Sequence, residues 1–404
     1  KTSFLSIVLS SFLSCSLTNE QWVQIGNTSM AQSSSICING DNIFVGTGGN
    51  GIFRSSNNGD SWETVNNGLP LNSIQAMANN NGRLFASTYY DLITSTDNGN
   101  LWVPYYNGLG SGYPAYDFLF LVDSIFAAGF GVYFSSDNGV NWIRYTNGLP
   151  SNLVVRSITR KGNKLFIATV NGVYFSEDNG LTWNEAGAGL SNYKLWAIIT
   201  SGNNILAGTD TSGIFISIDD GINWTKIQNE FSQAQVRSFI KYNGSILAGF
   251  GFGWGIYQSS DDGFTWTNIG QGLAPLYTFV VDIQANSSYL FAAGGATGLF
   301  RKQSGTTDVD YSPFEIPLKF SIEQNYPNPF NPTTTIGWQS PVGSHQTLKI
   351  YDVIGNEVVT LVNEFREAGR YEKTFNASQL SSGIYFYKLQ AGNFTETRKM
   401  ILIK

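Results

Sequence analysis

The chain has 404 residues, of which 13% are charged and 14% aromatic, and it holds 44 glycines. This profile suits many short strands joined by tight turns and argues against a mainly helical chain, while 42% hydrophobic content argues against disorder. A net charge of −6 and a single histidine, His345, weigh against a nucleic-acid surface, a polybasic membrane patch and paired-histidine chemistry.

In chain order, the first element is an export signal. Lys1 precedes an apolar run over residues 4–13, and Ser14-Cys15-Ser16 supplies small residues, so residues 1–16 are expected to form a cleaved signal peptide. The run is too short for a spanning helix, and no transmembrane segment is expected later in the chain. With Cys15 removed, Cys37 stands alone in the strand-like setting Ile36-Cys37-Ile38 and reads as a buried, inert thiol.

A repeat follows, with the pattern Ser-x-Asp-x-Gly-x-x-Trp. Its six copies carry the acidic or amide position at Asn57, Asp97, Asp137, Asp178, Asp219 and Asp261, and their tryptophans are spaced 40, 40, 41, 41 and 42 residues apart. The pattern is a strand–turn–strand. The Asp or Asn accepts backbone N–H bonds inside the turn, Gly takes the backbone conformation others resist, and Trp opens the next strand and packs between sheets. Each unit reads as four strands, A to D. C strands start at Ile52, Leu92, Val132, Val173, Ile214, Ile256 and Leu299. Trp-led D strands also number seven, because Trp22-Val23-Gln24-Ile25 matches Trp62-Glu63-Thr64-Val65. The last unit lacks a D strand and the first D strand lacks a unit. Joining them closes a ring and hides two edges. The expectation is an all-β, seven-bladed propeller over 20–303, with the N-terminal strand closing the last blade.

The boxes resemble the Asp-box, or bacterial neuraminidase, repeat. That group includes sialidases, xyloglucan-cleaving glycosidases, sortilin-type receptors and photosystem II stability-factor-like proteins. The even period and short loops are most similar to the last, a non-enzymatic group. The resemblance implies that the boxes lie on the face away from any ligand, so their carboxylates are structural rather than metal-binding.

Residues 304–319 lack periodicity and read as a linker. Then comes Asn325-Tyr326-Pro327-Asn328-Pro329-Phe330-Asn331-Pro332, whose prolines exclude a central strand. Strand candidates follow at 347–353, 357–362, 369–375, 383–389 and 396–403, which suggests a small Ig-like sandwich over 320–404. This ending resembles the C-terminal sorting domain of type IX secretion cargo. The resemblance rests on the Asn/Pro run, on Ile350-Tyr351-Asp352 with Gly355, on Ser382-Gly383-Ile384-Tyr385-Phe386-Tyr387 and on Lys399-Met400-Ile401-Leu402. It implies a secreted or outer-surface protein of a Gram-negative bacterium, whose partner through 320–404 is the type IX machinery.

The ligand face of the propeller is expected where B–C and D–A loops meet. The B–C loops hold Tyr89-Tyr90-Asp91, Phe130, Asp210 and Phe252-Gly253-Trp254, and the D–A loops hold Tyr106, Tyr113, Tyr116, Tyr193 and Tyr277. Aligning the inner strands puts Gln75, Arg156, Trp196 and Arg237 at one equivalent position facing the channel mouth. Tyr89, Tyr90, Arg156, Trp196, Arg237 and Trp254 are therefore the candidate ligand contacts, suited to a sugar, a peptide or an acidic group. Blade packing is the competing reading for the aromatics, and Asp117 or Asp210 is a candidate neutraliser of the arginines. No catalytic residue, metal or cofactor is expected. A sialidase resemblance would require an Arg-Ile-Pro signature where this chain has Phe53-Arg54-Ser55, and the propeller's few glutamates lie mostly beside boxes. The reading is a binding module for an extracellular glycan or protein, the alternative a sialidase- or xyloglucanase-like glycoside hydrolase.

Overall fold

The computed structural model describes residues 21–105, 107, 114–122, 124–187, 189–273, 278–304, 319–366 and 369–403, the side chain of Thr28 excepted. The expected signal peptide, nearly all of the expected linker, and Tyr106, Tyr113 and Tyr277 lie outside the described residues.

Seven four-stranded antiparallel sheets make the propeller, each ordered A-B-C-D from the channel outward. Blade 1 consists of Ser33–Asn39, Asn42–Thr47, Ile52–Ser55 and Glu63–Thr64. Blade 7 takes Asp282–Ala285, Tyr289–Ala293 and Leu299–Gln303 from its own unit, and its outer strand is Val23–Ile25 from the other end of the ring. Val23, Gln24 and Ile25 pair with Arg301, Phe300 and Leu299. Trp22 ties the same segment to blade 6, its backbone N–H donating to Gln271 O at 2.8 Å and its indole N–H to Ile269 O at 2.9 Å.

The B strands are apolar on both faces because each sheet is covered by a neighbour on either side. Ile43, Phe44 and Val45 are all fully buried, as are Leu84, Phe85 and Ala86. The core is a series of inter-blade layers. In one of them, Trp102 of blade 2 packs with Phe44, Ile52 and Val65 of blade 1 and with Leu84 and Ile93 of its own blade.

The boxes fold alike. In the third, the Ser135 hydroxyl donates to Asp137 at 2.8 Å, the Gly139 N–H donates to Ser135 Oγ at 2.8 Å, and the Asn141 N–H donates to Asp137 at 2.8 Å. Gly139 has a φ of +86°, and a Cβ there would meet the Phe85 ring at 3.0 Å. The residue just before the box glycine also takes positive φ, from +55° to +59°, at Asn58, Asn98, Asn138, Asn179, Asp220 and Asp262. Asn and Asp tolerate this region best among residues with a side chain. The sequence reading assigned no task to this position, yet it latches blades together. Asn39 donates to Asn98 at 2.7 Å, Asn80 to Asn138 at 3.1 Å, Ser201 to Asp262 at 2.6 Å and Asn286 to Asn58 at 2.8 Å, each from the end of the preceding blade's A strand or the turn after it. Lys161 reaches Asp220 in the same way.

A second ring of bonds links the inner strands. The N–H of Ile36 donates to Asp282 at 2.7 Å, that of Met77 to Ser35 Oγ at 2.9 Å, and that of Ile158 to Asp117 at 3.0 Å. Each polar side chain serves the next blade.

The C-terminal domain is a two-sheet sandwich. Ser321–Ile322, Thr333–Ser340 and Gly369–Asn376 form one sheet; Glu357–Arg366, Ser344–Tyr351, Gly383–Ala391 and Phe394–Leu402 form the other. Trp338, Leu348, Ile350, Tyr387 and Leu389 fill the space between. The Asn/Pro run is fastened by its first residue. Asn325 is buried and donates to Thr334 Oγ1 at 2.9 Å and Pro327 O at 3.1 Å. Phe330 is buried and pairs with the last strand through its backbone.

Candidate binding site at the channel mouth

The inner strands of blades 1, 2, 4, 5 and 6 each carry a bulge, at Ser34, Gln75, Arg156, Trp196 and Arg237. A bulged residue drops out of the ladder and its side chain is re-aimed. The structure therefore brings Gln75, Arg156, Trp196 and Arg237 to one structural position, as the alignment of inner strands proposed. The bulges are braced by the adjoining B–C loops. Val170 N–H donates to Val154 O, Asp210 N–H to Lys194 O and Gly251 N–H to Gln235 O, at 2.8–3.1 Å.

Three of these side chains stack. The guanidinium carbon of Arg156 lies 4.4 Å from the Trp196 ring centroid, and that of Arg237 lies 3.8 Å from it. The two guanidinium groups come from the blades on either side, and both lie over the Trp196 indole. Arg156 also lies 4.4 Å from the Tyr116 centroid, and Arg237 5.9 Å from that of Phe279. The result is an alternating row of Tyr116, Arg156, Trp196, Arg237 and Phe279, contributed by five successive blades. Phe279 escapes an alignment of inner strands, because it sits three residues before the start of its own inner strand at Asp282.

Asp210 fixes the middle of the row. It accepts the Trp196 indole N–H at 2.7 Å and an amide N–H of Gln235 through the same oxygen. Its loop is held by Thr209, whose hydroxyl donates to Gly213 O at 2.8 Å and accepts the Ser212 N–H at 2.8 Å. Neither arginine forms an ion pair or hydrogen bond among the described residues, and the Nε of each is buried without a partner. Asp117 is committed elsewhere, accepting Ser157 Oγ at 2.8 Å and the Ile158 N–H. Burial, then the like charge of Arg156, pushes Arg237 down to about 10; burial also lowers Arg156. Loss of water is the main cause of both shifts, and the Asp210 carboxylate, which bears electrostatically on both arginines without bonding either, opposes it.

The other candidates lie around this row. Tyr89 and Tyr90 are exposed on a tight turn capped by the Thr88 hydroxyl, with Tyr89 close enough to bear electrostatically on Arg156. Trp254 is half-buried against the blade-6 core with Phe250 and Tyr257. The exposed ring of that loop is Phe252, at φ +55°, which makes an edge contact with Phe279 at 4.3 Å.

Residues 324–404 match the model of the secretion system C-terminal sorting domain. The chain carries a type IX sorting tail. It is thus a secreted or surface protein of a Bacteroidetes-type Gram-negative bacterium, handled by the type IX machinery. Residues 127–245 match the DUF6242 β-propeller domain. No curated protein sequence matches the chain significantly. Among solved structures, the extracellular domain of a hybrid two-component system from B. thetaiotaomicron is 14% identical with a TM-score of 0.59, over 95% of this chain and 57% of that one. The sorting-tailed chain therefore spans little more than half the length of that neighbour. YCF48 from Cyanidioschyzon merolae is 14% identical with a TM-score of 0.53, covering 70% of this chain and 98% of that one. The GH74 xyloglucanase from Xanthomonas campestris is 11% identical with a TM-score of 0.54, covering 70% and 53%. These likenesses establish the propeller fold. Among the described residues no helix is long and apolar enough to cross a membrane.

Proposed function

We propose that the propeller is a non-catalytic binding module, displayed outside the cell, that captures an acidic group at its channel mouth. The observation that carries this reading is the pair of half-buried, unpartnered guanidinium groups on Trp196. Their stacked faces are occupied, so what remains for a ligand is the N–H edges, which match a carboxylate, sulfate or phosphate. A neutral sugar would stack on an aromatic face, and the Trp196 ring is already engaged by the two guanidinium groups. Tyr89, Tyr90 and Phe252 supply exposed rings beside the charge for the rest of the ligand. The fold serves both binding and hydrolysis elsewhere: one solved YCF48 structure is bound to the D1 peptide, and the GH74 neighbour is a xyloglucanase.

The test is titration of the purified protein with uronate oligosaccharides, sialosides, acidic peptides and neutral glycans, alongside a hydrolysis screen on the same panel. Acidic ligands are expected to bind, more weakly as salt rises, with no turnover. Arg156→Ala or Arg237→Ala is expected to weaken binding about tenfold or more. Turnover of xyloglucan or a sialoside would replace this reading with the hydrolase one.

A further inference from the structure

The sorting tail presents a face that its own core does not use. In its four-stranded sheet Leu348, Ile350, Tyr387, Leu389 and Met400 point inward and are buried. Their neighbours along each strand point outward. The register sets Tyr351 beside Phe386, Ile384 beside Ile401, Phe386 beside Lys399 and Lys349 beside Lys388. This outer face is apolar toward the 352–356 turn and basic beyond it.

The turn extends the apolar end. Val353 is 65% exposed and Ile354 80% exposed. The Asp352 carboxylate accepts the N–H of Ile354 at 3.0 Å and of Asn356 at 2.9 Å, and the Asn356 side-chain amide at 3.1 Å. Gly355 completes the reversal at φ +89°. Two apolar side chains are thus held in water by a turn too well bonded to fold them back. With Tyr351, Phe386, Lys388 and Thr397 they line a surface recess. Lys349 is paired with Glu357 at 2.8 Å, whereas Lys388 has no ion pair among the described residues. Single exposed apolar residues are ordinary. A rigid projecting pair continuous with cross-strand apolar neighbours and flanked by an unpaired cation is the composition of a docking surface.

We infer that this face, centred on Ile354, is where a protein of the secretion machinery docks, through an apolar surface rimmed by carboxylates that meet Lys388. The inference rests on the sorting-tail reading and adds the surface that is read. The experiment uses the full chain in a type IX-competent host and in the same host lacking the translocon. Surface delivery is measured by protease accessibility on whole cells, with the periplasmic fraction blotted in parallel. Ile354→Asp is expected to cut the surface fraction about tenfold or more, with folded protein retained in the periplasm. Lys388→Glu is expected to give a smaller loss, and Ile143→Asp, at an exposed apolar site on the propeller, none. If Ile354→Asp is degraded, a Val353→Ser, Ile354→Ser pair with an unchanged melting curve carries the same comparison. Normal delivery of the variants alongside translocon-dependent delivery of the parent would overturn the docking surface alone. Delivery of the parent in the translocon-deficient host would overturn the sorting reading itself.

Discussion

On the box face of the propeller, Asp137 accepts bonds from Asn141 backbone and side chain and from Ser135, and these hold its carboxyl below the usual range. At the mouth, Arg156 and Arg237 make no hydrogen bond or ion pair among the described residues and are depressed by burial. The box carboxylate is saturated with hydrogen bonds, whereas the Nε of each mouth arginine has none. A saturated carboxylate belongs to the scaffold, whereas a guanidinium at the mouth without a hydrogen bond is open to a ligand. Substitutions should therefore separate stability from binding according to the face they touch.

The largest effect is expected at the ring closure, which both faces share. Deleting residues 17–27 removes the outer strand of blade 7 and Trp22, which is 2% exposed, and leaves the outer edge of Leu299–Gln303 unpaired. Loss of a cooperative unfolding transition, followed by circular dichroism and calorimetry, is the expected result. A deletion that still melts as one sharp transition would show that the six remaining complete blades do not need closure.

Next comes a pair of tryptophans. Trp102 is buried between blades 1 and 2 and donates to Val65 O at 2.8 Å. Trp102→Ala should cost about 3–5 kcal/mol, as large core truncations do, and leave ligand contacts intact. Trp196→Ala should cost no more than about 1 kcal/mol while abolishing acidic-ligand binding, since it removes the plate on which both arginines rest. Denaturant melts beside binding titrations test the contrast; equal stability losses would place Trp196 in the scaffold.

How far each face could be read from the sequence follows from the same physics. The box repeats because one turn chemistry is used six times, so period, tryptophan and glycine were legible, and Trp22 betrayed the closing strand by fitting the same spacing. The latching residue before each box glycine was not recognised, because its partner lies at the end of an A strand or in the turn after it, about 60 residues away, as Asn39 does from Asn98. At the mouth, aligned inner strands brought Arg156, Trp196 and Arg237 together. What the alignment could not supply was the bulge that aims them, the Asp210 bond that orients Trp196, or the packing of half-buried Trp254 against its own blade. Those depend on loop conformation, which has no period. In the tail, five strand segments were legible from alternation, while Thr333–Ser340 was overlooked directly behind the prolines.

A smaller, pH-dependent effect is expected on the channel wall. Asp282 lies where blade 7 meets blade 1, with the Ser35 hydroxyl, the Ile36 N–H, Gln284 and Cys37 around it, and burial pushes it from 3.8 up to about 7. A raised carboxyl binds its proton more tightly folded than unfolded. Its contribution is therefore complete below the unfolded value and is lost as pH rises toward and through about 7. Asp282→Asn keeps an acceptor for Ile36 and removes the titration. Relative to the parent, the variant's midpoint in denaturant should gain steadily between about pH 4 and pH 8; parallel profiles would mean that Asp282 stays hydrated.

The smallest stability effect carries the sharpest sign. Arg237 is pushed down to about 10, first by burial and then by Arg156. At neutral pH the folded state therefore holds this charge less comfortably than the unfolded chain does. Met keeps much of the aliphatic length and can still pack on Trp196 and Phe279, while removing the unpartnered N–H groups. Arg237→Met should raise stability by about 0.5–1 kcal/mol and weaken binding of an acidic ligand. A box substitution such as Asp137→Ala should do the reverse, lowering the melting temperature and leaving binding unchanged. The opposition of signs is what matters. If Arg237→Met destabilises the protein, its guanidinium is part of the packing against Trp196 rather than a group held ready for a ligand, and the distinction between the two faces fails where it was drawn most strongly.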